Sequence, residues 1–162
     1  MIRQPSYKDL LHVARHLRAV DVIELSLTRK DSPTRLALDA WRTQHRMMAY
    51  LGDEPVFAFG VALGEVSGHG QAWGFGTDKS PRVLREVTKY LRKRMIPALI
   101  GEGLSIVQAL ADPDNRVSAR WLYHLGFTPH AKLAGIGAGG HDLVLWVTTA
   151  DAQHRHPVPV AA

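Results

Sequence analysis

Groups able to do chemistry are scattered along this chain, and one absence sets a limit on all of them. The 162 residues include no cysteine, so disulfides, thiolate metal sites and a cysteine nucleophile are excluded. His12 and His16 stand four apart, a spacing that places two imidazoles on one metal. No third ligand and no intervening glutamate accompany them, and no metal site is expected. Ser105 and His130 lack the third member of a triad. Gly135, Gly137, Gly139 and Gly140 have the composition of a nucleotide loop, yet they join two strands instead of a strand and a helix. They read as a hairpin loop. The basic stretch Arg82, Arg85, Lys89, Arg92, Lys93 and Arg94 reads as the wet face of an amphipathic helix. Few aromatics interleave with it, so nucleic acid is the least favoured partner.

The elements that must hold these groups follow from period and punctuation. Residues 1–4 make a short strand. Ser6 caps a helix, with Asp9 completing a capping box and Leu10, Leu11, Ala14 and Leu17 as its apolar stripe. Ser32-Pro33 starts another helix, with Leu36, Ala40 and Trp41 facing inward. Met47–Leu51 and Pro55–Leu63 flank the turn Gly52-Asp53-Glu54 as a hairpin. The second strand is apolar on both sides, as in a strand covered on two faces. A third strand runs near Gln71–Thr77. Ser80-Pro81 opens a long helix on which Val83, Val87, Leu91 and Met95 recur, and Pro97 is expected to end or kink it. A strand at Leu104–Leu110, a helix at Asn115–Leu125 stopped by Gly126, and strands at 127–136 and 142–149 complete a single domain over residues 1–149. Residues 150–162, with His154, His156, Pro157 and Pro159, are expected to be a mobile tail. This order implies an α/β fold: a mixed, mostly antiparallel sheet with helices on both faces.

Hydrophobic residues make up 46% of the chain and charged residues 22%, the balance of a soluble globular domain. No apolar run approaches the roughly 18 residues of a membrane span. The start, Met1 to Pro5, lacks the apolar core of a secretion signal. A net charge of +5 is compatible with nucleic acid, a nucleotide cofactor or an acidic protein, and selects none of them.

The segment Asn115-Arg116-Val117-Ser118-Ala119-Arg120-Trp121-Leu122-Tyr123-His124-Leu125-Gly126-Phe127 resembles the C-terminal signature of GNAT acetyltransferases, and the order of elements resembles that family over residues 1–149. Asn115 or Asp114 caps the helix, Gly126 stops it in a left-handed conformation, and Phe127 packs back on the core. The resemblance implies that Tyr123 holds the position from which many of these enzymes protonate the departing CoA thiolate. It also implies a pyrophosphate loop between the fourth strand and the long helix. Here that loop reads Gly76-Thr77-Asp78-Lys79-Ser80-Pro81-Arg82, without the family's glycines. Pro81 removes a backbone donor and Asp78 adds a negative charge. Lys79, Ser80 and Arg82 partly compensate, and together with Asn115 they form the cofactor-binding set if CoA binds. Glu54 and Glu65 lie near strand ends, where the family often keeps a general base, but read as solvated loop acids.

The missing glycine loop, the aromatic strand carrying Trp73 and Phe75, and the basic long helix resemble a narrower group over residues 45–130. That group is the GNAT-like internal virion protein A of short-tailed bacteriophages. This resemblance implies a virion-located structural or protein-binding component without a cofactor, with an occluded cofactor groove. Its partners would be other virion or tail proteins, in an arrangement compatible with an oligomer. The alternative is a cytoplasmic acetyl-CoA-dependent N-acetyltransferase with an atypical pyrophosphate loop.

Overall fold

The computed structural model describes residues 1–155, and the expectations for His156, Pro157 and Pro159 fall outside them. Seven strands form one sheet in the order β1-β2-β3-β4-β5-β7-β6. They are β1 (Ile2–Arg3), β2 (His45–Leu51), β3 (Glu54–Leu63), β4 (His69–Gly76), β5 (Ile106–Ala111), β6 (Thr128–Leu133) and β7 (Leu143–Thr149). Every neighbouring pair is antiparallel except β4 with β5. The expected mixed, mostly antiparallel sheet is therefore present, with β7 inserted between β5 and β6.

Helices α1 (Tyr7–Arg15) and α3 (Pro33–Arg42) cover one face. Leu10, Val13, Leu36 and Ala40 pack there on Met48, Tyr50, Ala58 and Phe75. The capping box at Ser6 and Asp9 is closed in both directions, and Ser32 caps α3 through the Arg35 N–H. Trp41, expected inward, is instead 38% exposed, because it sits at the edge of the α3 stripe and stacks beneath the Arg46 guanidinium.

The other face carries α4 (Leu84–Tyr90), α5 (Ile96–Gly101) and α6 (Arg116–His124). Their apolar sides join Phe57, Phe59, Val61, Val107 and Ala109 in the larger core. Pro97 neither ends nor breaks the long helix. A π-helical turn at Leu91–Met95 precedes it, and this wider turn is how a helix accommodates a residue that cannot donate to the preceding ladder. Helix α6 and the Trp121 ring are tied to α4 by a 2.8 Å bond from Nε1 to Thr88 Oγ1.

Two elements depart from the sequence expectations. Helix α2 (Ala19–Thr28) follows α1 directly. Its sequence hides it: Arg18 at its start gives no side-chain cap, Val20, Val22 and Ile23 are exposed, and its buried residue is Asp21. The region expected as a tail opens with α7 (Ala150–Arg155), whose Gln153 amide donates to Leu125 O at 3.0 Å and Thr148 Oγ1 at 2.8 Å. No helix of the described residues is long and apolar enough to cross a membrane.

Candidate active site

Strands β4 and β5 pair only at their beginnings, His69 with Ile106, Gly70 with Val107 and Gln71 with Gln108. Beyond that point the two parallel strands part, since β4 stays on β3 as far as Gly76 and β5 stays on β7 as far as Ala111. A wedge opens between their C-terminal ends, the place where α/β sheets receive ligands. Thr77 donates to Val56 O on β3. By the alternation of an antiparallel ladder, Ala72, Gly74 and Gly76 then turn their main-chain groups to the wedge side. The wedge holds a mainly apolar cavity of about 110 Å³, lined among others by Phe59, Ala72, Ala109, Trp121 and Leu122. Glu24 and Ser118 are among its lining residues, together with the indole-bearing Trp73 and Trp121.

Glu24 comes from α2. Its Oε1 accepts from the Asp112 N–H at 2.9 Å, just past the end of β5, and its Oε2 accepts from Asn115 Nδ2 and Ser118 Oγ, each at 3.1 Å. Burial pushes its carboxyl above the usual range, and the three donors oppose that shift. One turn earlier, Asp21 does the same at β4. Its Oδ2 accepts from the Gly76 N–H at 2.7 Å, while the Arg18 N–H donates to Gly76 O at 2.9 Å. Burial raises Asp21 as well, against the pull of the Arg18 guanidinium 2.9 Å away. That guanidinium nitrogen is close enough for an ion pair but is not aligned as a hydrogen-bond donor.

Beside this pair lies a histidine–aspartate couple. His141, from the β6–β7 loop, meets Asp112 Oδ1 through Nε2 at 3.0 Å. The bond to Asp112 raises the imidazole above its ordinary value of 6.5. Burial pushes Asp112 up, but the Asp114 N–H and His141 outweigh it and hold the carboxyl low. Asp112, Asp114 and His141 bring three potential metal-ligand atoms within 4.8 Å of one another. A cation would find ligands there among the described residues, although Asp112 is already satisfied by its partners.

The residues named from the sequence divide between two places. Asn115 is in the site: it caps α6 through the Ser118 N–H and holds Glu24. Tyr123 is 68% exposed and is not part of the cavity lining. The α6 residues that face the cleft are Ser118, Trp121 and Leu122, and the one next to Tyr123, Leu122, has no proton to give. Lys79 pairs with Glu54 at 2.7 Å, an exposed ion pair that depresses the Glu54 carboxyl. Ser80 is fully buried, its hydroxyl within 3.0 Å of Val56 O and 2.6 Å of Thr77 O. The N–H groups of Thr77, Lys79, Ser80, Arg82 and Val83 are all engaged inside the loop or on β3. Arg82 is exposed. Glu65 is exposed as well, and His16 bonds back to His12 O. Sequence reasoning missed Asp21, Glu24, Asp112 and His141. An acidic pair at positions i and i+3 on an otherwise apolar segment was the available signal for the first two.

No protein-family model matches the chain, and no curated protein sequence does. Solved structures are similar over nearly its whole length. Ard1 from Thermoplasma volcanium superposes with a TM-score of 0.71 at 20% identity, over 92% of this chain and 96% of that one. The yncA protein from Salmonella typhimurium, solved with its cofactor acetyl-CoA, gives 0.72 at 18% identity, over 100% and 98%. The aminoglycoside acetyltransferase AAC(6')-Ib, solved with coenzyme A and kanamycin, gives 0.67 at 15% identity, over 98% and 99%. At such identities the likeness is one of fold, and with the parted β4 and β5 it establishes that this chain has the GNAT acetyltransferase fold.

Proposed function

We propose that the chain is an acetyl-CoA-dependent N-acetyltransferase whose thioester arm lies in the wedge between β4 and β5. The parting of these two strands around an apolar cavity is the observation that carries this reading. An extended arm of amides can pair with the main chain of Ala72 and Gly74, and an N–H on that edge can polarise the acetyl carbonyl. The acceptor amine attacks that carbonyl, the C–S bond breaks, coenzyme A departs as a thiolate that takes its proton from solvent, and the amine proton must leave. His141 lies beside the wedge and outside the cavity lining, and is the base that the acceptor amine would meet at this end of the sheet. Asp112 holds Nε2 and leaves Nδ1 to take the proton. Structures of similar fold solved with acetyl-CoA or coenzyme A support the cofactor class.

Calorimetry with acetyl-CoA tests the binding step, and micromolar affinity is the expected result. Because the chain has no cysteine, any thiol released in the presence of an amine or peptide panel is coenzyme A. On this reading Tyr123→Phe keeps its turnover, while His141→Ala loses about 10²-fold or more. A thiol-release assay in which Tyr123→Phe is the inactive variant would overturn the assignment of the base and restore the tyrosine.

A second reading is favoured by a different observation. The loop that would cradle the pyrophosphate spends its N–H groups internally, and two α2 carboxylates stand at the wedge mouth. A virion-located binding module that keeps the GNAT fold without the cofactor accounts for both. It expects no heat with acetyl-CoA at any concentration, and a gene flanked by portal, tail or internal core genes.

A further inference from the structure

We infer that α2 is a latch over the wedge, and that it must undock before a CoA-type arm can enter. The inference rests on the acetyltransferase reading for its ligand, but its mechanics stand on contacts within this chain. Asp21 and Glu24 lie one turn apart on the same helix face. Each takes the main-chain N–H at the end of one of the two parted strands, Gly76 on β4 and Asp112 after β5. The Arg18 N–H takes the carbonyl of Gly76. Through these bonds α2 fills a main-chain position at the end of the open β4 edge and bridges the wedge like a staple. Glu24 also takes the side chains of Asn115 and Ser118, the polar groups at the start of α6.

The space left beneath α2 is small. About 110 Å³ falls short of the roughly 300–1,000 Å³ typical of a ligand pocket. The helix itself is held by these polar contacts and by Leu25, half-buried against the core of the α1–α3 face. Of its residues only Asp21 is buried, while Val20, Val22 and Ile23 face solvent. An element with so little buried apolar surface sits at the low end of local stability. A covering element fixed by the hydrogen bonds of Asp21 and Glu24 and by the half-buried Leu25 opens with little disturbance of the core. The apparent affinity of the cleft for its ligand is then the intrinsic affinity reduced by the fraction of molecules with α2 undocked.

The test uses the full chain and coenzyme A as the probe. Replacing both tips, Asp21→Ala with Glu24→Ala, is expected to tighten coenzyme A binding by about tenfold, if the undocked form of the natural chain is about a tenth of the population. Where the natural chain binds coenzyme A, unchanged or weaker binding in a variant with native circular dichroism would overturn the latch. Hydrogen exchange on the natural chain supplies a second readout should the double variant fail to fold. Amides of residues 19–28 exchanging well ahead of those in α1 and α3 support undocking, and equal protection in all three helices sinks it. If neither form binds coenzyme A while α2 exchanges early, the latch stands and the acetyltransferase reading falls. If the natural chain binds coenzyme A and the double variant gains nothing, the latch falls and that reading stands.

Discussion

At the residue scale the site depends on a few side chains whose surroundings set their chemistry. His141 is raised above 6.5 because Asp112 stabilises its charged form. A histidine raised in this way contributes stability that is fully present below pH 6.5 and is lost as pH rises through its folded value. Asp112→Asn is expected to return the imidazole toward 6.5, read from its ring protons in an NMR titration. A titration curve identical to that of the natural chain would show that the 3.0 Å contact carries no charge stabilisation. Gly126 poses a different constraint. It sits at a φ of +88°, and a Cβ there would lie 2.6 Å from Gln153 Nε2. Its N–H and that of Phe127 return to Tyr123 O and Leu122 O, which is a Schellman closure. Gly126→Ala is expected to cost about 1–2 kcal/mol in left-handed strain alone, seen as a lowered unfolding midpoint. A midpoint equal to that of the natural chain would mean the turn relaxes freely.

At the element scale α6 and α2 meet through Asn115. The side chain does two separate jobs: Oδ1 caps α6, and Nδ2 donates to Glu24. Asn115→Asp separates them. Aspartate caps a helix about as well as asparagine, so α6 should keep its stability. The new carboxylate meets that of Glu24, already raised by burial, and like charges at that distance repel. Faster amide exchange across residues 19–28 with α6 unaffected is the expected outcome. Loss of protection in α6 instead would show that the cap, and not the bond to α2, dominates. The start of α4 shows the opposite arrangement. Ser80, whose type suggests an anion ligand, is a lock between the loop and β3. A Cβ on Gly76 would meet its Oγ at 2.0 Å, so Gly76 and Ser80 fit one another and leave no room for a ligand between them.

At the scale of the whole molecule, the sheet consists of two parts, β1–β4 and β5–β7. They are joined by three parallel residue pairs and by the helices packed across them. Gly70 lies in that join, and a Cβ there would meet Val61 Cγ1 at 2.7 Å and Leu104 Cδ1 at 3.2 Å. Gly70→Val overpacks the join and is expected to destabilise the fold by about 1–3 kcal/mol. Circular dichroism and tryptophan fluorescence should still report one coincident transition, because the larger core spans both parts. Two separated transitions would show that the parts fold independently.

By itself the sequence determined the elements whose local signals agree with their packing. Ser6, Ser32 and Asn115 announce their helices by capping, β3 announces its burial on both sides, and Gly126 with Phe127 announces the end of α6. These are near-neighbour effects, legible because the partner lies within a few positions. Only the tertiary structure decided the site. Helix α2 has no side-chain cap and turns Val20, Val22 and Ile23 outward, so its pattern points the wrong way until the wedge it covers is known. Asp21 and Glu24 answer N–H groups 55 and 88 residues away, and His141 answers Asp112 across 29. Tyr123 and Leu122 are adjacent in the chain, yet about 100° of helical rotation sends one to solvent and the other to the cleft. The segment from Asn115 to Phe127 spells out a helix and its stop signal; which of its residues faces the wedge depends on how α6 docks on the sheet.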